Sequence, residues 1–349
     1  MMAGSFSRLC GLARLPIACA LLQLTGAAPL LADPVADFYH DRALTLVSGF
    51  TPSGENDAYL RQVGRHIARF IPGQPRVVST NMPGAGTLLA ANHLYKLAVP
   101  DGTVMGMFTA QAAVEPFLGN KAAVSDPLKF GWIAGMTLER QFCAVAPGPG
   151  APETFDDLLR NETVFGTSAP ASDIYQSTAV IKNVLGAKIR IVSGYPGMPG
   201  VVLALQRGEV SGACGITAAA LRTRLAPALE SGQIRVLVQH GGTPTSEFGK
   251  VPSVFDYART DETRELLDYF FRVLALGRLI TAPPGVPSER LNALRTAFAS
   301  VLQDATFLEE ANKLNLVIDS ASAADVQTQM ERLSKYPQDF FERVRKAAR

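Results

Sequence analysis

The chain has 349 residues, 33 Lys and Arg against 31 Asp and Glu for a formal charge of +2, and 47% hydrophobic residues. So small a charge argues against a nucleic-acid or polybasic membrane-surface partner, and the length allows two domains of roughly 100–200 residues each. Residues 1–32 read as a secretory signal peptide: Arg8 and Arg14 precede a largely uncharged apolar run from Leu15 to Leu31, and small residues lead to Ala32. Pro16, Gln23, Thr25, Gly26 and Pro29 make that run a poor membrane-spanning helix, which needs ~20 predominantly apolar residues. Cleavage fits after Ala28 or Ala32, with Ala32 favoured; Cys19, preceded by Pro16, Ile17 and Ala18, does not resemble a lipidation site. Removal of the signal leaves 31 basic against 31 acidic residues, so a periplasmic, near-neutral mature chain is expected. Cys143 and Cys214 then remain in an oxidising compartment, either paired or as two buried thiols.

From Ala43 to Met107 short β-branched runs, glycine-containing turns and helical spacing alternate, predicting βαβαβ. The strands are Ala43 to Gly49, Arg76 to Thr80 and Thr103 to Phe108. The helix after Asn56 puts Leu60, Val63, Ile67, Phe70 and Ile71 on one stripe, and Arg61, Arg65 and Arg69 on a face read as solvated; the next helix runs from Thr87 to Ala98. A second alternation begins at Gln141, with strands Phe142 to Ala146, Thr163 to Thr167, Lys188 to Ser193, Val210 to Ala213 and Ile234 to Gln239. A strand from Leu276 to Thr281 follows the Gly241–Pro252 connection, and then helices only, the first Pro287 to Gln303. A tail without its own sheet must pack on an existing lobe. The expected division is therefore a discontinuous first lobe, 33–140 plus 243–349, around a second lobe of 141–242. Such an α/β chain leaves a ligand cleft between two open parallel sheets, at the carboxyl ends of their strands.

No metal, cofactor or catalytic constellation is expected. His40, His66, His93 and His240 show no ligand spacing. Ser53 and Ser168 lie outside G-x-S-x-G, because Thr51 and Pro170 stand where its glycines belong. Gly84-Ala85-Gly86 opens a helix after a strand, but Leu89 replaces the third glycine of a dinucleotide fingerprint. The turns Thr51–Asp57 and Asn81–Thr87 instead offer backbone N–H groups at two helix starts, which suit an anion. Thr51, Ser53, Asn56, Asp57, Asn81, Gly84, Ala85 and Gly86 are the first-lobe candidates for ligand binding, with Gln111 after the third strand. For Ser53, Asn56 and Asp57 a capping role is the alternative. The second lobe contributes Thr167 and Ser168, then Tyr195 and Gly197, in two strand-end loops; Tyr195 serves equally well as a half-buried aromatic.

These loops carry a resemblance. Gly54, Asp57, Ile71-Pro72-Gly73, Asn81-Met82-Pro83-Gly84-Ala85-Gly86, Pro100-Asp101-Gly102-Thr103, Gly194-Tyr195-Pro196-Gly197, Gly208-Glu209-Val210 and Pro284-Gly285-Val286-Pro287 resemble, in order and spacing, the tripartite tricarboxylate transporter substrate-binding proteins of the Bug or TctC-like family. The resemblance implies a two-lobed periplasmic binding fold of the type II, Venus-flytrap kind, without catalysis or cofactor. It implies as partners a small organic carboxylate and the membrane permease subunits of such a transporter, with the protein a monomer. Two places depart from the family: Ser53-Gly54-Glu55-Asn56-Asp57 replaces a glycine-rich loop, and Ser211 replaces an acid. If Glu55 points into the cleft, its charge disfavours a second carboxylate and favours an amine or hydroxyl. An exported serine hydrolase using Ser53 or Ser168, and a periplasmic ligand-sensing module without transport, are the alternative functions.

Overall fold

The computed structural model describes residues 33–52, 54–136, 140–170, 172–241 and 244–348. The signal-peptide reading of residues 1–32, Ser53 and the Glu55 side chain lie outside the described residues. In chain order the elements are α1 (Pro34–Tyr39), β1 (Ala43–Ser48), α2 (Glu55–His66), β2 (Arg76–Asn81), α3 (Leu88–Lys96), β3 (Val104–Thr109), α4 (Ala110–Val114), β4 (Gly131–Met136), β5 (Gln141–Val145), α5 (Phe155–Leu158), β6 (Thr163–Gly166), α6 (Asp173–Leu185), β7 (Ile189–Val192) and α7 (Gly197–Gln206). They continue with β8 (Gly212–Thr217), α8 (Ala218–Arg222), α9 (Ala226–Glu230), β9 (Arg235–His240), α10 (Asp261–Ala275), β10 (Arg278–Ala282), α11 (Ser288–Gln303), α12 (Ala305–Lys313), β11 (Ser320–Ser322), α13 (Ala323–Ser334) and α14 (Gln338–Ala347).

The strands form two sheets, ordered β11-β4-β10-β3-β1-β2 and β7-β6-β8-β5-β9. Neither is wholly parallel, which corrects the expectation of two parallel sheets. In the first, β1 pairs in parallel with β2 and β3, but β10 enters antiparallel between β3 and β4. In the second, β6 is parallel to β7 and β8, whereas β5 runs antiparallel to β8 and β9. The reason lies in the connections: β4 to β5 and β9 to β10 carry the chain from one sheet to the other, so each returning strand enters reversed. Five elements have no counterpart in the sequence reading: α1, α4, β4, α10 and β11. Strand β11 pairs antiparallel with β4 and corrects the expectation that only helices follow β10. β4 is buried along nearly its whole length and reads as a featureless apolar run, and α10 buries Leu266, Leu267, Phe270, Phe271 and Leu274 on one face.

Burial explains the layering. Leu44, Leu46 and Met105 of the first sheet meet Tyr59, Leu60 and Val63 of α2 and Leu294 and Phe298 of α11 in one apolar cluster. A second cluster runs without a break from Phe108 and Trp132, through Phe270 and Phe271, to Phe165 and Val180 behind the second sheet. At the full-burial end of the usual scale each such side chain contributes about 1.5–3 kcal/mol. Helices α10 and α14 belong to this shared layer: α10 packs against α4 and α6, and α14 against α6. Phe341 stacks on Phe117 at 6.1 Å, Arg345 donates to Leu118 O at 2.9 Å, and Asn183 donates to Ala347 O at 3.0 Å.

Cys143 of β5 and Cys214 of β8 form a disulfide, with Cα atoms 4.0 Å apart and both residues fully buried. The pairing of β5 with β8 shifts register between Phe142 and Ala144, and Gly215 there has φ +77°. A bulge places two residues of one strand against one of the other, and glycine accepts its left-handed backbone without a Cβ clash.

Candidate functional site

The carboxyl ends of β1, β2 and β3 and the start of β10 share one edge of the first sheet, since Ser48 lies opposite Asn81 and Met107, and Arg278 opposite Thr109. The helices α2 and α3 begin above that edge. Helix α2 starts at Gly54 without a side-chain cap, so neither Asn56 nor Asp57 caps it, contrary to the alternative reading of both. Asp57 is buried instead, 1% exposed. Its carboxylate accepts from Arg61 Nε at 2.6 Å and from Asn81 Nδ2 at 2.6 Å. Asn81 also donates to Phe50 O at 3.0 Å and accepts from Arg61 Nη2 at 2.7 Å. Both amide hydrogens of Asn81 are thereby used, so Asn81 braces the two loops and has no amide hydrogen left for a ligand.

Asn56 stands differently. Its Oδ1 accepts from Nε of Arg278, a residue that the sequence reading passed over. Arg278 is 6% exposed, with its guanidinium 4.3 Å from the centre of the Tyr59 ring. Arg61 and Arg65 of α2 and Arg69 in the turn after it are likewise not a bare solvated face. Arg61 joins Asp57 and Asn81, Arg65 lies 3.8 Å from Glu310, and Arg69 donates to Asp304. Hydrogen bonds from Gln62 and then His66 hold the Glu310 carboxyl below its usual range.

The Gly84–Thr87 loop departs furthest from ordinary backbone. Ala85, Gly86 and Thr87 have φ values of +47°, +62° and +74°, a run of left-handed residues costing on the order of 1–3 kcal/mol at each non-glycine position. Thr87 anchors it: its hydroxyl accepts from Thr109 N at 3.0 Å and lies 3.1 Å from the Thr109 hydroxyl, which in turn accepts from Ala112 N at the start of α4. Pro83, Gly84 and Ala85 are exposed. Successive N–H groups in such a conformation form a concavity suited to an anion. Thr51 is exposed, and Gln111 is 7% exposed within α4.

On the second sheet the corresponding edge holds the ends of β6, β8 and β9 and the start of β5. Thr167 is fully buried, and its hydroxyl has no hydrogen-bond partner among the described residues. Ser168 donates to Ser172 Oγ at 2.6 Å, which accepts from Tyr175 N at the start of α6. Tyr195 packs half-buried on the second sheet's own apolar cluster, with its N–H donating to Thr167 O at 3.2 Å. Gly197 follows in a left-handed conformation, φ +67°. His240, which ends β9, lies tilted against Phe271 with ring centres 4.6 Å apart, and neither ring nitrogen has a partner among the described residues. Burial holds it neutral, pushing its pKa down to about 3.

An open groove of about 930 Å³ joins the two sides: Ala85 and Gly86 line it from the first, Pro170, Tyr175 and Gln176 from the second, and Arg345 of α14 from its flank. Of the candidates named from sequence, this groove gathers Ala85 and Gly86; Tyr175 and Gln176 had no signal beyond their place one turn into a helix after a strand-end loop. Among the described residues no cluster of three His, Cys, Asp or Glu has metal-ligand geometry, and no helix is long and apolar enough to cross a membrane.

Solved structures share this architecture. BugD, a periplasmic binding protein, superposes with a TM-score of 0.64 at 16% identity over 88% of this chain and 98% of its own. The fold is that of a periplasmic binding protein. An R. palustris protein solved with adipate gives 0.62 at 21% identity, covering 88% of this chain and 97% of that one, and MatC from Rhodopseudomonas palustris with bound malate gives 0.61 at 18%, covering 88% and 99%. In sequence, the chain is 24% identical over 314 residues to the "UPF0065 protein in gbd 5'region" of Cupriavidus necator, spanning 87% of this chain and 88% of that protein. No family model matches. The chain thus resembles the Bug and TctC-like solute-binding proteins along nearly all of its described length.

Proposed function

We propose that the chain is an exported periplasmic protein that binds a small organic carboxylate between two lobes, residues 33–140 with 243–349 and residues 141–242, and delivers it as a monomer to the permease of a tripartite tricarboxylate transporter. The signal is removed after Ala32. The observation that carries this reading is the left-handed loop at Gly84–Thr87, exposed at Gly84 and Ala85 and held by Thr109, bordering a groove whose other wall comes from the second sheet. Backbone N–H groups there and at the start of α2 carry partial positive charge and hold an anion without a basic side chain. Structural neighbours solved with adipate and malate support the carboxylate class. The hydrolase alternative gains nothing from Ser168, whose hydroxyl is spent on Ser172.

Closure of one lobe on the other then reports occupancy to the permease. Native mass spectrometry of protein purified from the periplasm, followed by calorimetric titration of the refolded chain with di- and tricarboxylates and aromatic acids, tests the proposal. A co-purified small anion and a micromolar or tighter titration are expected; absence of binding by every acid sinks it.

A further inference from the structure

We infer that Arg278 is a positioning residue that sets ligand selectivity through Asn56, making the Asn56 side chain an obligate hydrogen-bond donor to the cleft. The inference rests on the carboxylate-binding reading above and deepens it. Arg278 opens β10 at the sheet edge where β3 and β4 end, opposite Thr109 and Met136. It is nearly buried and lies over Tyr59, whose hydroxyl is fixed on Val317 O at 3.2 Å. Its Nε donates to Oδ1 of Asn56, in the first turn of α2.

A guanidinium has donors and no acceptor. Asn56 can therefore meet it only through oxygen, and no described residue takes the hydrogens of its half-buried NH₂ group. An asparagine free to flip offers oxygen or nitrogen equally and is indifferent between a carboxylate and an amine. Held by Arg278, it offers nitrogen alone and selects an acceptor. A buried cation thus chooses the ligand's chemistry without touching it, at the helix start where Ser53-Gly54-Glu55-Asn56-Asp57 departs from a glycine-rich loop.

The test uses the full mature chain and malate, adipate and the even-chain dicarboxylates from succinate to sebacate, titrated calorimetrically; the tightest of these becomes the probe. If none binds the wild type, the carboxylate reading falls and the inference with it. With a probe in hand, Asn56→Asp, which keeps the shape and the Arg278 contact but replaces the donor by an acceptor, is expected to weaken binding by roughly 30-fold or more at unchanged melting temperature. Asn56→Ala should cost roughly 10-fold, as should Arg278→Met, while Arg278→Met in the Asn56→Ala background should change affinity by less than about 2-fold. A full Arg278→Met loss in that background, or wild-type affinity for Asn56→Asp, overturns the inference. Should Arg278→Met fail to fold, the wild type decides alone: the Asn56 side-chain amide NMR signals must shift on probe addition, and unmoved signals overturn it.

Discussion

The two sheet edges behind the groove manage their buried polar groups in opposite ways. On the first sheet, Asp57, Arg61 and Asn81 satisfy one another around Phe50 O, and Thr87 and Thr109 lock the left-handed loop before any ligand arrives. On the second, the Thr167 hydroxyl and both nitrogens of His240 are buried without partners among the described residues, and the strength sits deeper, in the Cys143–Cys214 bridge between β8 and β5. One edge is set in advance; the other retains polar groups whose cost a ligand or a movement of the lobe can relieve. Preorganised donors lose little on binding, whereas an unsatisfied buried group costs about 1–3 kcal/mol until it finds a partner.

The largest test of this contrast is the bridge. A Cys143→Ser/Cys214→Ser double variant opens a loop of 71 residues, and the loop-closure estimate puts the loss at about 4 kcal/mol; urea unfolding should show it in the second sheet with the loops at the edge of the first still folded. Next, Asp57→Ala should cost about 2–3 kcal/mol, since two charge-assisted hydrogen bonds vanish and Asn81 is released. It should also weaken carboxylate binding, and a variant that loses neither stability nor affinity would show that the first edge is not set by this network.

The third test is pH. His240 has its folded pKa lowered to about 3, below the unfolded value of 6.5, so the unfolded chain binds the extra proton. Stability is undiminished above pH 6.5 and falls as pH drops from there toward 3, by about 1.4 kcal/mol per pH unit, or about 2 kcal/mol between pH 6.5 and 5. His240→Phe should flatten that part of the stability profile. The smallest effect is expected of Thr167→Val, which removes an unpartnered hydroxyl: stability should rise by up to about 1 kcal/mol. If Thr167 serves the ligand, affinity must fall at the same time, and a rise in both breaks the contrast.

Much of the fold was legible because its signals are local. The β-branched runs and glycine turns from Ala43 to Met107 predict β1-α2-β2-α3-β3 to within a few residues, and α11 follows from its own spacing. What escaped depends on distant chain. β4 lacks alternation because it is buried on both faces, and the antiparallel entry of β10 is decided by a connection rather than by its own residues. Arg61 and Arg69 looked solvated because part of what they bind comes from elsewhere: Asn81 lies 20 residues from Arg61 and Asp304 lies 235 from Arg69. At the candidate site, the glycine loop announced itself, but no local pattern marks Arg278 as the partner of Asn56, 222 residues apart. The disulfide was open for the same reason, since only the register of β5 on β8 brings the two cysteines together.

The strand order also governs the sequence of events as the chain emerges N-terminus first. Residues 141–240 contain every strand of the second sheet, so that sheet can close as soon as His240 appears. The first sheet waits for β10, which must slide between β3 and β4. Until Ala282 is out, β3 exposes an unpaired edge and β4 has no strand partner at all, a hazard for mispairing, and β11 closes the other edge of β4 only later. The sheet with the preset polar network is thus the one completed last, and its time of greatest vulnerability is set by the length of chain between Thr109 and Arg278.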